Sequence, residues 1–189
     1  MQVAAVILAA GASTRFGSQK QLARLASGCT MLEEVVEIAR AAGLDPIIAV
    51  VPPGLAVPTD VVPERNGAPE AGISRSLRLG LAAVPTEVAA AVILLNDQPT
   101  VRPDVIGTIL AAARGDRPVV AAHASGHSGP PVLIMRPHFG LADQARGDEG
   151  LRSIVAASPE LVTSVEVGQH APDVDTPDDL AALGEGRSG

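Results

Sequence analysis

Three short apolar runs most constrain what this chain can become: "QVAAVIL" at residues 2–8, "PIIAVV" at 46–51 and "AAAVILL" at 89–95. A continuous apolar run followed at once by turn residues is what a strand covered on both faces of a parallel sheet requires. Helical patterns lie between the runs. Thr30 and Glu33 have the spacing of a capping box ahead of "MLEEVVEIARAAG", and Gly43 is placed to end that helix. "GISRSLRLGLAAV" at 72–84 aligns Ile73, Leu77, Leu81 and Val84 on one face and stops at Pro85. "RPDVIGTILAAAR" continues as helix after the third run, and the stretch from Pro52 to Val62 is read as a Pro-rich connection.

The second half is less regular. "PVVAA" at 118–122 and "PVLIM" at 131–135 read as strands separated by the glycine-rich "HASGHSGP", with short helices at 138–145 and 149–157. "VTSVEV" at 162–167 alternates as a last strand; Thr176 then caps, and Pro177 opens, a helix running to Leu183. The alternation predicts one α/β domain over residues 1–184 with a short frayed tail, 185–189. Its sheet is mainly parallel, and ligands are expected at the carboxyl ends of the strands.

Composition narrows the function. The net charge is -7 and the basic residues are scattered, which argues against a nucleic-acid footprint. Among Phe, Tyr and Trp the chain has only Phe16 and Phe139, which nearly excludes a site built on base-stacking platforms and leaves recognition to backbone and short polar groups. Cys29 has no partner for a disulfide, and no apolar stretch approaches the ~18 residues of a membrane span. The expectation is a soluble, cytoplasmic protein without a membrane or nucleic-acid partner.

The segment "LAAGASTRFGSQKQL" at 8–22 follows the first strand and holds the chain's single lysine among fourteen Lys and Arg residues. Gly11 and Gly17 are too far apart for a dinucleotide fingerprint, and Lys20 does not follow a glycine as a Walker lysine would. What remains is a long loop whose glycines let backbone N–H groups approach an anion, while Ser13 and Thr14 offer hydroxyls. Arg15 can fork two phosphate oxygens and Lys20 can sit between phosphates as a compact ammonium, two tasks that are not interchangeable.

Further along, "LLNDQP" at 94–99 sets Asp97 just beyond the strongest buried strand, where a carboxylate emerges into the crevice. "DVDTP" at 173–177 does the same, so Asp173 or Asp175 could meet Asp97, and two carboxylates with substrate phosphates suffice for Mg²⁺. Asp97 could instead cap the following helix, and Asp173 reads better as a solvated loop residue. Gly72, Ser74 and Ser76 come at a helix start, an anion or base-edge site, with Ser74 equally placed as its N-cap. Arg75 and Arg78 read as a solvated helix face. His123 and His127 lack the companions of a zinc site.

In series, these segments resemble the MobA-like nucleotidyltransferases, and within them the molybdenum cofactor cytidylyltransferase branch. "LAAGASTRFGSQK" is similar to the family's L-A-A-G-x-S-x-R-[FM]-G-x-x-K signature, and "LLNDQP" to its metal segment; "GISRSLRLGL", "GDEGLR" and "DVDTPDDL" follow in the expected order. Gln19 stands where many relatives have proline, and Gly129-Pro130-Pro131-Val132 where many have G-H-P-V. The resemblance implies a three-layer α/β/α Rossmann-like nucleotidyltransferase fold. It implies a nucleoside triphosphate bound by Leu8, Ala9, Ala10, Gly11, Ser13, Arg15, Lys20, Gly72, Ser74 and Ser76, with Arg15, Lys20 and Asp97 catalytic. Mg²⁺ would lie between Asp97 and Asp175. The "LAAG" form favours CTP, the acceptor would be a molybdopterin-type phosphate, and a molybdoenzyme could receive the product. Two other readings stand beside it: an NAD(P)H-dependent reductase of a small aromatic substrate, and a non-catalytic cofactor-binding chaperone.

Overall fold

The computed structural model describes all residues except 12–15, 18, 114–116, 118, 125–126, 149, 151–155, 157–158, 169–170 and 186–189. The three apolar runs form the centre of the sheet as β1 (Val3–Leu8), β2 (Ile47–Val51) and β4 (Ala90–Leu95), with parallel pairing of β1 to both of the others. Along β1, alternate residues serve opposite layers. Val3, Ala5 and Ile7 join Leu32, Val35, Val36, Ile106 and Ile109 on one face, while Ala4, Val6 and Leu8 join Leu77, Leu81 and Leu141 on the other. The first set comes from helices α1 (Met31–Ala41) and α3 (Pro103–Ala112); the second comes from α2 (Ile73–Ala82) and a 3-10 segment, Arg136–Gln144. Residues with apolar groups on both sides can only be satisfied by two covering layers, and the result is the expected three-layer α/β/α, Rossmann-like sandwich.

Among the described residues the sheet has seven strands in the order β3-β2-β1-β4-β6-β5-β7, where β3 is Val62–Arg65, β5 Val119–Ala124, β6 His127–Met135 and β7 Val162–Glu166. All pairings are parallel except those of β6, which runs antiparallel to β4 and β5. The chain leaves β1 toward β2 on one side and returns through β4 on the other. The ends of β1 and β4 therefore flank a topological switch point, where adjacent loops part and leave a crevice.

Several local expectations change. Val62, the expected end of the connection, instead opens edge strand β3 over residues 62–65, whose exposed, proline-containing sequence carries no alternating signature. The glycine-rich stretch near 123–130 does not separate β5 from β6 as a long loop: both strands continue through it, with a bulge between Ala121 and Ala122. The helix expected at 149–157 and the tail beyond 185 lie mostly or wholly outside the described residues. The Thr30–Glu33 capping box is present in full, with the Glu33 amide donating to Thr30 Oγ1 and the Thr30 amide to Glu33 Oε2. Helix α2 is capped by Gly72 (φ 79°), not by Ser74, which lies inside the first turn. No helix among the described residues is long and apolar enough to cross a membrane.

Candidate active site

Beyond β1 and β4 opens a cleft of about 550 Å³, lined by the β1 end (Leu8 to Gly11), Lys20, Gly72, Ser76, Asp97 and the 173–175 segment, among others. The backbone sets its floor. The Ala9 amide donates to Val50 O (2.8 Å) and the Asn96 amide to Leu8 O (3.2 Å), extending the ladder one step past the strands and fixing both loops as they leave the sheet. Gln21, 3 % exposed, donates Nε2 to Ala9 O at 2.6 Å and to Gly11 O at 3.3 Å. That pair anchors the short 3-10 turn Lys20–Leu22 against the start of the loop, and with it the lysine.

Two acidic segments meet there through main chain. The Val174 amide donates to Asp97 O at 2.8 Å, while Val174 itself packs with Leu25 and Met31, so Asp173 and Asp175 stand on either side of a buried anchor. Asp175 comes beside Asp97, and Lys20 Nζ bridges the two, 3.2 Å from Asp97 Oδ2 and 3.1 Å from Asp175 Oδ1. Asp173 is not merely solvated: Gln98, itself buried, donates Nε2 to its Oδ1 at 2.9 Å. Thr176 and Asp179 close a second capping arrangement directly after it, with Asp179 Oδ2 accepting from the amides of Asp175 and Thr176.

Electrostatically the site is an acidic cleft in which a single ammonium bridges two of the carboxylates. Burial pushes the Asp97 carboxyl above its ordinary range, Lys20 pulls it back, and the neighbouring charges of Asp173 and Asp175 push it up again. Asp97 Oδ1 is enclosed and has no hydrogen-bond partner among the described residues. A buried carboxylate oxygen without a donor, and a place between two carboxylates already filled by a small cationic group, fit a hard divalent cation. No group of three or more metal-ligating side chains gathers among the described residues, so Asp97 and Asp175 would share such an ion with ligand oxygens and water.

The opposite wall is backbone against backbone. The Ser74 amide donates to Gly147 O at 3.1 Å, and Arg78 Nη1 to Ala145 O at 3.1 Å, which docks the 145–148 loop on the start of α2. A Cβ on Gly72 would lie 2.4 Å from the Gly147 carbonyl carbon, so the approach requires glycine on steric grounds as well as for its positive φ. Ser74 is buried under this loop and is not among the cleft-lining residues, whereas Gly72 and Ser76 are. Arg75 and Arg78 are engaged with Asn66 and Ala145, one a side-chain and one a backbone acceptor. Ser13 and Arg15 lie outside the described residues. Gln21, Asn66 and Gln98, all buried amides, are not singled out by the sequence, because no local pattern marks a polar side chain whose partners come from elsewhere in the chain.

Known proteins are similar to this chain in sequence and in fold. The chain is 30% identical over 161 residues to the phosphoenolpyruvate guanylyltransferase of Sanguibacter keddieii, covering 72% of this chain and 56% of that protein, so it spans little more than half that relative's length. The crystal structure of Rv0371c from Mycobacterium tuberculosis H37Rv superposes with a TM-score of 0.82 at 31% identity, covering 98% of this chain and 99% of that one. A complex of the same mycobacterial protein with manganese matches at 0.78 and 30%, covering 98% and 99%. Residues 5–163, which carry the β1 loop, both β4 flanks and the α2 wall, match the MobA-like NTP transferase domain, and the chain belongs to that family.

Proposed function

We propose that the protein transfers a nucleoside monophosphate from a nucleoside triphosphate to a phosphate of a small acceptor and releases pyrophosphate. The observation that carries this reading is the ion-paired cluster of Lys20, Asp97 and Asp175 on the wall of the cleft at the β1/β4 switch point. Backbone groups of Ala9, Ala10 and Gly11, with Gly72 and Ser76 opposite, would hold the nucleoside end, and Arg15 with Lys20 the phosphates. Lys20 bridges both carboxylates; with a divalent cation in that place, its ammonium would be available to phosphate oxygens.

Magnesium is the proposed cation, held by Asp97 and Asp175, and when bound it would neutralise the charge that grows on the phosphate oxygens. An oxygen of the acceptor phosphate attacks the α-phosphorus in line, a new P–O bond forms, and the α–β bridging bond breaks with its electron pair leaving on pyrophosphate. The side chains supply position and charge, and none forms a covalent intermediate.

The Leu8–Gly11 sequence "LAAG" supports CTP as donor and a molybdopterin-type acceptor, with a molybdoenzyme downstream. GTP is the second reading, favoured by the guanylyltransferase relative, which also makes phosphoenolpyruvate an acceptor to try. Pure protein with Mg²⁺, each nucleoside triphosphate and each phosphorylated acceptor should release pyrophosphate with one pairing and none without acceptor. NADPH oxidation without metal would point to the reductase reading instead, and tight pterin binding without pyrophosphate to the chaperone.

A further inference from the structure

Asn66 directly follows the edge strand β3 and is 1 % exposed, yet both polar atoms of its side chain are hydrogen-bonded. Its oxygen accepts from the Ala68 amide at 3.0 Å and from Arg75 Nε at 3.0 Å. Neither group has a lone pair to offer, so the atom they share must be Oδ1 and the remaining atom must be the amide nitrogen. That nitrogen donates to Ser76 Oγ at 3.0 Å. Ser76 is 4 % exposed, lines the cleft, and among the described residues finds no acceptor for its own proton. The direction of every bond in this chain is thus dictated by its first members.

We propose that Asn66 is a positioning residue for the nucleotide: by donating to Ser76 Oγ it leaves the hydroxyl proton pointed to the cleft, so Ser76 acts as a donor there. A carbonyl oxygen or ring nitrogen of the base edge at this wall would take that proton, and the donor role of Ser76 favours such a lone pair over an N–H. This inference rests on the reading of the cleft as a nucleoside triphosphate site and adds a selection rule to it. A structural role for Asn66 alone, tying β3 to α2, would require the three bonds but would be indifferent to which way the Ser76 hydroxyl points.

The two roles separate in a double-mutant cycle. Asn66→Asp keeps the acceptor for Ala68 and Arg75 but turns the Ser76 hydroxyl inward, because a carboxylate can only accept. Asn66→Ala removes all three bonds and leaves the hydroxyl free to rotate. With Mg²⁺ and the α,β-methylene analogues of CTP and GTP as probes, calorimetry should give about a tenfold loss for Ser76→Ala in the native background, the size of one hydrogen bond to a ligand. The same change should cost less than about twofold in the Asn66→Asp background and an intermediate factor in the Asn66→Ala background. Thermal melts should rank the Asn66→Asp variant above the Asn66→Ala variant, while affinity ranks them the other way. An equal factor for Ser76→Ala in all backgrounds would overturn the inference. If Asn66→Asp does not fold, a full tenfold loss in the Asn66→Ala background overturns it alone. Failure of the native protein to bind either analogue overturns the nucleotide reading, and the inference with it.

Discussion

Lys20 stands where two carboxylates would otherwise face each other across a partly closed cleft, and that single contact decides how the site behaves when a residue is removed. Asp97 is held above the ordinary carboxylate range chiefly by burial, so its charged form is a cost to the fold that function retains. Asp97→Asn is expected to leave the melting temperature unchanged or raise it while lowering pyrophosphate release about a hundredfold or more, the scale of losing one charged group at a reacting phosphate. Parallel melts and turnover assays check both halves; retained turnover would remove Asp97 from the chemistry. The residues of this cluster were legible because their positions are unusual in one dimension: a lone lysine in an arginine-biased chain, and an acid just past an apolar run. Gln98 and Asn66 were not, because a buried amide is recognised only by partners that lie 75 and 10 residues away.

At the scale of elements, two predictions probe how strands and helices hold the cleft open. Gly80 faces the sheet from the interior of α2, and a Cβ there would fall 2.3 Å from Val6 Cγ1 and 3.0 Å from Val50 Cγ2. Alanine favours a helix interior by about 1 kcal/mol, but forcing a methyl into packed β-branched side chains costs about 1–3 kcal/mol, so Gly80→Ala should be net destabilising in urea. Net stabilisation would mean that α2 can move off β1. The capping box on α1 gives a pH test. The Thr30 amide, then its hydroxyl, hold the Glu33 carboxyl below its ordinary range. A depressed folded-state value adds stability above the unfolded value, about 4.3, and that part is lost as pH falls through the folded value. Thr30→Ala should therefore cost about 1 kcal/mol at neutral pH, with a gap from the native protein that narrows below about pH 4. The central elements were readable because β1, β2 and β4 repeat one pattern. Strand β3 was not, because an edge strand that stays exposed needs neither alternation nor apolar content, and Pro63 argued against it.

At the scale of the whole molecule, the chain carries a net charge of -7, and the acids Glu70, Asp97, Asp148, Asp173 and Asp175 all line the cleft proposed for a polyanion. Lys20 is the cationic side chain lining it among the described residues. A triphosphate without a divalent cation should therefore be repelled; chelation with EDTA is expected to weaken CTP or GTP binding at least tenfold in calorimetry, without shifting the melting temperature of the ligand-free protein. Equal affinity with and without chelator would argue that Asp97 and Asp175 hold no cation. The layered architecture and a site at the carboxyl ends of the strands followed from strand and helix order, whereas the switch point and the antiparallel β6 did not, since no local signal tells which strands are neighbours or which way a buried strand points.

The amide of Val174 on the carbonyl of Asp97 involves no side chain from either acid. The geometry that brings positions 97 and 175 together is consequently a property of the chain path, and the chemistry displayed there can be rewritten independently of it. The clasp is in that sense a fixture for redesign: imidazole or thiolate substituted at these two positions would project from the same backbone sites, toward softer metals than the one the present carboxylates suit.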